Sequence, residues 1–461
     1  MNVSSPSIPR RKARRRLRAL TAAVATAAVA ALGTGGALAS SAAADTPTAP
    51  PPVTVLTHGS NIGKGDFFVS PFGGTATYAN GPEILDQNGN VVWFHAVPAG
   101  QEASDFRTQT YNGQPVLTWW QGTGFGGLAK GTDYIYNDKY QQIATVQAGN
   151  GLSADGHEFL ITPQNTALIL AYTTATADLT SIGGPANQTV IDGVVQEINI
   201  KTGKVLWQWN SADHVPYSQS EQPLPTTSTG APNPSSPWDW FHINAIKLDT
   251  DGNLLIDARD TWTSYKVDRH SGQIIWQLGG KASANNFNIQ AAPGQVLNKA
   301  GEITAWQHDF ESQGNGIYTF FDNESAGVAN TGVDATAQFG LSRAVTVKLD
   351  QRTHTATLIN SFNQPEGLTA PSQGNSQRTA EGNTVVGWGS LPYWSEFSPS
   401  GQLLYNAQWP TGVNSYRAYL LPWNPSSSGG HGSGPGYHPG GGWHHHGHGP
   451  HYNPGHDGHG H

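Results

Sequence analysis

From Trp238 to Gly280 the apolar positions form four strand-length runs. They read Trp238-Asp-Trp-Phe-His-Ile-Asn-Ala-Ile246, Leu254-Leu-Ile-Asp-Ala258, Ser264-Tyr-Lys-Val-Asp268 and Gln273-Ile-Ile-Trp-Gln-Leu-Gly-Gly280. Each run alternates or is rich in β-formers, and the breaks carry Asp-Gly-Asn or Ser-Gly turn chemistry, so the pattern predicts a four-stranded antiparallel meander. Its closing hairpin recurs, with an Asp-, Asn- or Ser-headed turn and an apolar or aromatic residue ending the second strand. The copies are Ile84–Phe94, Tyr134–Val146, Val194–Trp209, Thr263–Leu278, Ala344–Phe362 and Tyr393–Trp409. A further strand-like run precedes each: Phe67–Phe72, Pro115–Trp120, Ala167–Thr173, Leu254–Ala258, Gly316–Phe321 and Thr384–Trp388. Repeats of about 50 to 80 residues are longer than those of compact propellers, and predict an all-β, six-bladed β-propeller of four-stranded antiparallel blades with large loops on one face. The segments 173–188, 211–237, 281–300 and 326–340 are the expected loops, and Tyr416–Trp423 is a last strand that can return to the first blade.

Composition changes at both ends. Residues 1–44 carry seven basic residues between Arg10 and Arg18, an Ala/Val-rich run from Leu20 to Leu32, and Ala42-Ala-Ala44. This is the pattern of an export signal, and Arg14-Arg15-Arg16-Leu17 is compatible with a twin-arginine route. The expectation is a secreted, extracellular protein, and a membrane anchor is the plainer alternative for the same run. Residues 45–55 read as an extended leader, 56–424 as the propeller, and 425–461 as a disordered Gly/Pro/His-rich tail that cannot bury a core. The tail holds ten of the eighteen histidines, among them His444, His445, His446 and His448, so a divalent metal is a candidate partner there.

Removing the signal takes away seven positive charges and no acidic ones, so the formal charge falls from −8 to −15. That balance argues against nucleic acid or an anionic membrane surface as the main partner. The chain has no cysteine. Disulfides, thiolate-held metals and a thiol nucleophile are therefore excluded.

The candidate chemistry lies at the starts of blades. Asp155-Gly-His157-Glu158, Trp240-Phe-His242-Ile-Asn244 and Trp306-Gln-His308-Asp309 each place an imidazole beside a polar or acidic residue. Innermost strands line a propeller's channel, so His157, His242 and His308 are expected to converge. Taken singly, each is more simply a hydrogen-bonded packing histidine; repetition weakens that reading. His270 and His354 fall in turns and are expected to be exposed. Arg343 and Arg378 occupy strand starts, where each would hold an anionic oxygen group or pair with a carboxylate. Trp119, Trp120, Trp238 and Trp240 either close hairpins or wall an aromatic pocket. Asp249-Thr-Asp251-Gly-Asn253 looks like a calcium loop but lacks the closing glutamate and reads as an Asx turn. Gly122–Gly127 precedes no helix that would hold a phosphate.

Over 53–423 the chain resembles the arylsulfotransferase family of secreted six-bladed propellers. The resemblance is carried by Phe241-His242-Ile-Asn244-Ala-Ile246, by Trp306-Gln-His308-Asp309 with Phe320-Phe-Asp-Asn323, and by Leu341-Ser-Arg343-Ala-Val345. It implies transfer of sulfate from an aryl sulfate ester to a phenol through a sulfohistidine, with no cofactor. It also implies that His242 and His308 are supporting histidines and Arg343 the nearest match to the family arginine. Asn244, Trp240 and Arg378 are then candidate substrate-binding residues. The family nucleophile aligns with Pro392, which cannot attack sulfur, so His157 is the stand-in nucleophile or acid/base. A non-catalytic ligand-binding propeller and a metal held by His157, His242 and His308 are the alternatives. Quinone-dependent propeller dehydrogenases share the hairpin repeat, but nothing in the sequence singles out a cofactor pocket.

Overall fold

The computed structural model describes residues 48–73, 77–124, 128–281, 286–325 and 339–425. The export signal and the histidine-rich tail lie outside them, as does most of the segment 326–340. Among the described residues there is no α-helix, only strands and four short 3-10 turns.

Strand β1 (Thr54–His58) starts inside the segment read as leader. The first meander follows as β2 (Asp66–Phe72), β3 (Glu83–Leu85) and β4 (Val91–Phe94). The second is β5 (Glu102–Tyr111), β6 (Gln114–Thr123), β7 (Lys130–Tyr136) and β8 (Gln142–Val146), and the third β9 (Ala154–Ile161), β10 (Thr166–Ala177), β11 (Gln188–Asn199) and β12 (Val205–Asn210). After the short β13 (Trp238–Asp239) come β14 (Ile243–Leu248), β15 (Leu254–Ala258), β16 (Thr263–Val267) and β17 (Ile274–Gly279). Then follow β18 (Asn288–Ala291), β19 (His308–Gly314), β20 (Ile317–Asp322), β21 (Arg343–Asp350) and β22 (Thr355–Asn363). The last are β23 (Asn375–Arg378), β24 (Thr384–Gly387), β25 (Tyr393–Phe397), β26 (Leu403–Gln408) and β27 (Asn414–Leu421).

These strands form small antiparallel sheets in a propeller-like arrangement, but six separate sheets are not what forms. Four sheets stand alone with four or five strands each, and a fifth has nine. The nine-stranded sheet arises because β7 and β9 meet at one pair, Gly131 with Ala154, which fuses two meanders. The two chain ends interlock. β1 adds to β26 at the outer edge of the last sheet, while β27 becomes the inner strand of the first by pairing with β2. Between those sheets Phe67, Val69, Trp394, Tyr405, Trp409 and Leu420 are buried in one cluster. Full burial of one such side chain is worth about 1.5–3 kcal/mol, so closure rests on packing as well as on strand pairing.

Every closing hairpin read from the sequence is present, and the turn heads explain why. Asp86 accepts from the N–H groups of Asn88 and Asn90, and Asn137 from those of Lys139 and Gln141. Asp268 accepts from His270 and Ser271, and Asp350 from Arg352 and Thr353. These side chains fix the turn locally, before any tertiary contact is made. One expected loop is shorter than read. Residues 173–177 and 188 continue the β10–β11 hairpin, with Thr173 opposite Asp192 and Ala177 opposite Gln188, because Thr and Val keep the ladder going, and 178–187 form the connection.

Strands β5, β9, β14, β19, β23 and β27 start or end the meanders and pack beside one another around the axis. Five of them interrupt their ladders: β5 between Ser104 and Arg107, β9 opposite Ile169 and Ala171, β14 between Ile243 and Ala245, β19 between His308 and Glu311, and β27 beside Val69 and Pro71. A bulge breaks the period of two and re-aims side chains. Asp105 and Asp309 sit at these interruptions with φ of 52° and 60°, and His242, just before β14, has φ of 49°. Such left-handed backbone costs on the order of 1–3 kcal/mol per residue and tends to gather at functional sites.

Candidate functional site

Two buried polar layers occupy the centre. The first is an ion cluster that sequence reading did not find. Arg417 on β27 is fully buried and lies 3.1 Å from Asp105, 2.9 Å from Glu158 and 3.6 Å from Asp309. Lys247 on β14 reaches Glu158 at 2.9 Å and Asp309 at 3.1 Å, and Arg107 pairs with Asp105 at 3.2 Å and with Glu158. Burial alone would raise the Glu158 carboxyl, but Arg417, Lys247 and Arg107 outweigh it and hold the group below its ordinary range. The cluster ties β5, β9, β14, β19 and β27 together.

The second layer holds the histidines. His157 on β9 and His242 meet edge to face, with ring centroids 5.1 Å apart. The Nδ1 of His157 bonds the Asp155 carboxylate and that of His242 bonds Asp239. Gly156 lets this strand approach its neighbour, since a Cβ there would lie 2.8 Å from Ser104 Oγ and 2.9 Å from the Trp120 ring. Burial lowers the His242 pKa, but the charge and hydrogen bond of Asp239, with Asp260 behind, outweigh it and leave the pKa raised. Tyr416 joins the layers. Its ring lies 5.4 Å from His157 and 6.4 Å from His308, and its hydroxyl donates to the Asn244 carbonyl at 3.2 Å.

The third histidine differs. His308 Nδ1 bonds Asn323 Oδ1 at 2.7 Å, and its Nε2 accepts the Gln373 N–H at 3.1 Å, so both ring nitrogens are engaged. Burial, then the Arg259 charge, pushes its pKa well below the ordinary histidine value. The alternative of a metal held by His157, His242 and His308 is not the ligand set that comes together. Among the described residues, the ligand atoms that lie within 4.8 Å of one another belong to Asp239, His242 and Asp260. In that trio His242 is bonded to Asp239, and Asp260 to Arg259 at 2.6 Å.

Arg343 is not in this layer. It opens β21, opposite Asp322 on β20, and binds Asp322 at 2.9 Å, Glu324 at 3.1 Å and the carbonyls of Val296 and Ile303 at 2.9 Å. A cation that acts on these histidines is Arg259, whose charge opposes protonation of His242 and His308 and whose backbone N–H donates to the His242 carbonyl at 3.0 Å. Replacing Arg343 by Met strands two buried carboxylates, so a loss of about 3–5 kcal/mol in unfolding free energy by urea titration is expected.

The remaining candidates separate as well. Arg378 ends β23 and is exposed. Asn244 is buried on β14 and donates to the Gln307 carbonyl at 2.8 Å. The four tryptophans are buried: Trp119 packs on Trp93, Tyr134 and Tyr136, Trp120 donates to the Ala154 carbonyl, Trp238 to that of Gln222 and Trp240 to Asp192. His354 is half-buried against Phe287, with ring centroids 4.5 Å apart, whereas His270 is exposed as expected. Pro392 lies in the link from β24 to β25, its carbonyl accepting the Trp409 N–H at 3.0 Å. In the Asp249–Asn253 turn the Lys266 ammonium sits 2.7 Å from both Asp249 and Asp251, where a calcium ion would have to go. Adding calcium or a chelator is therefore expected to leave the melting temperature of the described fold unchanged, as a thermal scan can check.

Fold and site together define an all-β, propeller-like protein with paired Asp–His groups at its centre. The chain belongs to the arylsulfotransferase (ASST) family, whose model matches residues 107–409. Among curated proteins none matches. Solved structures with similarity include a protein of unknown function from Bacteroides caccae, at 12% identity and TM-score 0.42 over 77% of this chain and 98% of that one. A Lactobacillus plantarum protein follows at 10% and 0.39, covering 75% and 82%. Virginiamycin B lyase from Staphylococcus aureus, with quinupristin, gives 9% and 0.36 over 78% and 88%. No helix among the described residues is long and apolar enough to cross a membrane.

Proposed function

We propose that the protein is an exported arylsulfotransferase that moves sulfate from an aryl sulfate ester to a phenol. In this reading the fused nine-stranded sheet counts as two blades of six. The observation that carries it is the pairing of His157 and His242 at 5.1 Å, each with its Nδ1 on its own aspartate. With Asp155 accepting from Nδ1–H, the His157 lone pair resides on Nε2 and attacks sulfur. The bond from sulfur to the aryl oxygen breaks, and the departing phenolate takes the proton of the His242 imidazolium. The acceptor phenol then attacks the sulfohistidine, returns its proton to His242 and releases His157.

Acceptor-dependent release of nitrophenolate from 4-nitrophenyl sulfate by the full chain tests the reading. No release with a panel of phenols would defeat it. A non-catalytic binding propeller is the second reading, favoured by Pro392 at the aligned nucleophile position, and the same assay decides between them.

The pH profile adds a check with a definite sign. His242 acts protonated, and its raised pKa keeps it so to higher pH than a free histidine. Transfer should fall as pH rises through that value. In Asp239→Asn the main raising influence is gone and burial remains, so the alkaline limb should move to lower pH. An unmoved limb would remove His242 from the acid role.

A further inference from the structure

Beside the histidine pair lies an aromatic corner that the mechanism above does not use. Trp262 and Trp306 meet edge to face at 5.2 Å and 75°, and Phe339 meets Trp262 at 5.1 Å and 71°. The tryptophans are 9% and 4% exposed. Both indole N–H groups are buried without a hydrogen-bond partner. An indole nitrogen is a donor only, and a buried donor left unmet costs about 1–3 kcal/mol. Trp276, Trp394 and Trp409 share that state, and what sets this corner apart is its backbone and the cation against it. The backbone has φ of 53° at Trp262 and 60° at Trp306. Bulky residues adopt this left-handed region rarely, and they do so where surrounding structure or function holds them there.

Arg259 connects this corner to the histidines. Its guanidinium lies 5.0 Å from the Trp306 ring centroid, is fully buried, and donates to Asp260 at 2.6 Å and to the Pro371 carbonyl at 3.0 Å. Its main chain bonds that of His242, and Trp306 stands two residues before His308 in the same strand approach. A fixed cation on an indole face, two donor-only N–H groups and aromatic walls match one chemical class: an aromatic ring bearing a compact anionic oxygen group.

We propose that Trp262, Trp306 and Arg259 form the aryl sulfate subsite of this protein, the indole N–H groups and the guanidinium facing the sulfuryl oxygens and the ring walls holding the aryl group. The inference rests on the sulfuryl-transfer reading for its substrate class and deepens it by naming the residues that hold that substrate.

Binding is measured separately from turnover, by calorimetric titration of 4-nitrophenyl sulfate into the full chain carrying His157→Ala. Trp306→Phe and Trp262→Phe remove the donors and keep an aromatic ring. Each is expected to weaken binding at least about tenfold, the loss of roughly one hydrogen bond to a charged group. In the His157 background each should raise KM for the donor with kcat little changed. Arg259→Lys, which keeps the charge and loses the planar fork, should weaken binding similarly and serves if a tryptophan variant does not fold. Unchanged affinity in the folded variants, or no binding to the parent, overturns the subsite. Binding lost in Trp306→Phe with no transfer by the unmutated chain would keep the subsite and remove the transferase. Transfer that needs His157, with affinity indifferent to both tryptophans, would do the reverse.

Discussion

Alanine in place of His157 should abolish acceptor-dependent nitrophenolate release, by at least about a thousandfold in kcat, because deleting a covalent nucleophile removes the two-step route altogether. The substitution removes the ring bonded to the buried Asp155 carboxylate, so some loss of stability is expected. Asp155 keeps the backbone N–H of residue 157, Tyr172 its bond to the Ile243 carbonyl, His242 its bond to Asp239 and Tyr416 its bond to the Asn244 carbonyl. Circular dichroism and thermal melting alongside the assay separate a chemical loss from an unfolded protein. Added imidazole restoring part of the rate would point to the missing group itself. If His157→Ala retains transfer while His242→Ala loses it, the roles are reversed and the acid must be sought elsewhere.

The second large effect is expected on stability. Arg417→Met leaves Asp105, Glu158 and Asp309 facing each other with only Lys247 and Arg107 to balance them. Removing one partner from a buried, bonded ion cluster costs about 3–5 kcal/mol. Urea titration should show this loss in full at neutral pH. Acid should narrow the difference, for the following reason. Glu158 is held below its unfolded value, so it contributes stability that is present above the ordinary glutamate pKa of about 4.3. That contribution is lost as pH falls through the lowered folded value. The variant, lacking the strongest cation on Glu158, has less of it to lose. Equal stability of the two proteins at pH 7 would show that the cluster is mere filler for the axis.

His308 carries the opposite sign to His242. Its pKa is lowered by burial, so the unfolded chain binds the proton more readily, and its contribution to stability is lost as pH falls below about 6.5. His308→Asn should therefore flatten the fall in stability between pH 7 and 5 relative to the unmutated chain, as urea midpoints at several pH values would show.

The hairpins were legible in the sequence because their cause is local. Asp86, Asn137, Asp268 and Asp350 each close their own turn, and the strands on either side follow from it. The imidazoles at blade starts were legible for a related reason, since the same motif recurs at the same place in several meanders. The ion cluster was not. Asp105, Glu158, Asp309 and Arg417 stand in strands whose ladders are interrupted, and a reading based on alternation gives such positions no inward direction. A faint signal was present in the acidic residue beside each strand-start histidine, Glu158 after His157 and Asp309 after His308. Its meaning needs Arg417, distant in sequence by more than a hundred residues. Arg343 shows the converse. A strand-start arginine looks like a channel residue, yet β21 is not an innermost strand, and Asp322 and Glu324 claim the side chain. Fusion of two meanders through Gly131 and Ala154 depends on a single close approach that no local pattern announces.

The most direct test of the central claim is to find the covalent intermediate. The full chain is mixed with 4-nitrophenyl sulfate without acceptor, quenched in alkali, where an N-sulfonated imidazole survives, and analysed by intact mass and peptide fragmentation. The account predicts a gain of one SO3 group located on His157, discharged when a phenol is added before the quench. A sulfonyl group on another residue, or none while transfer proceeds, would contradict it.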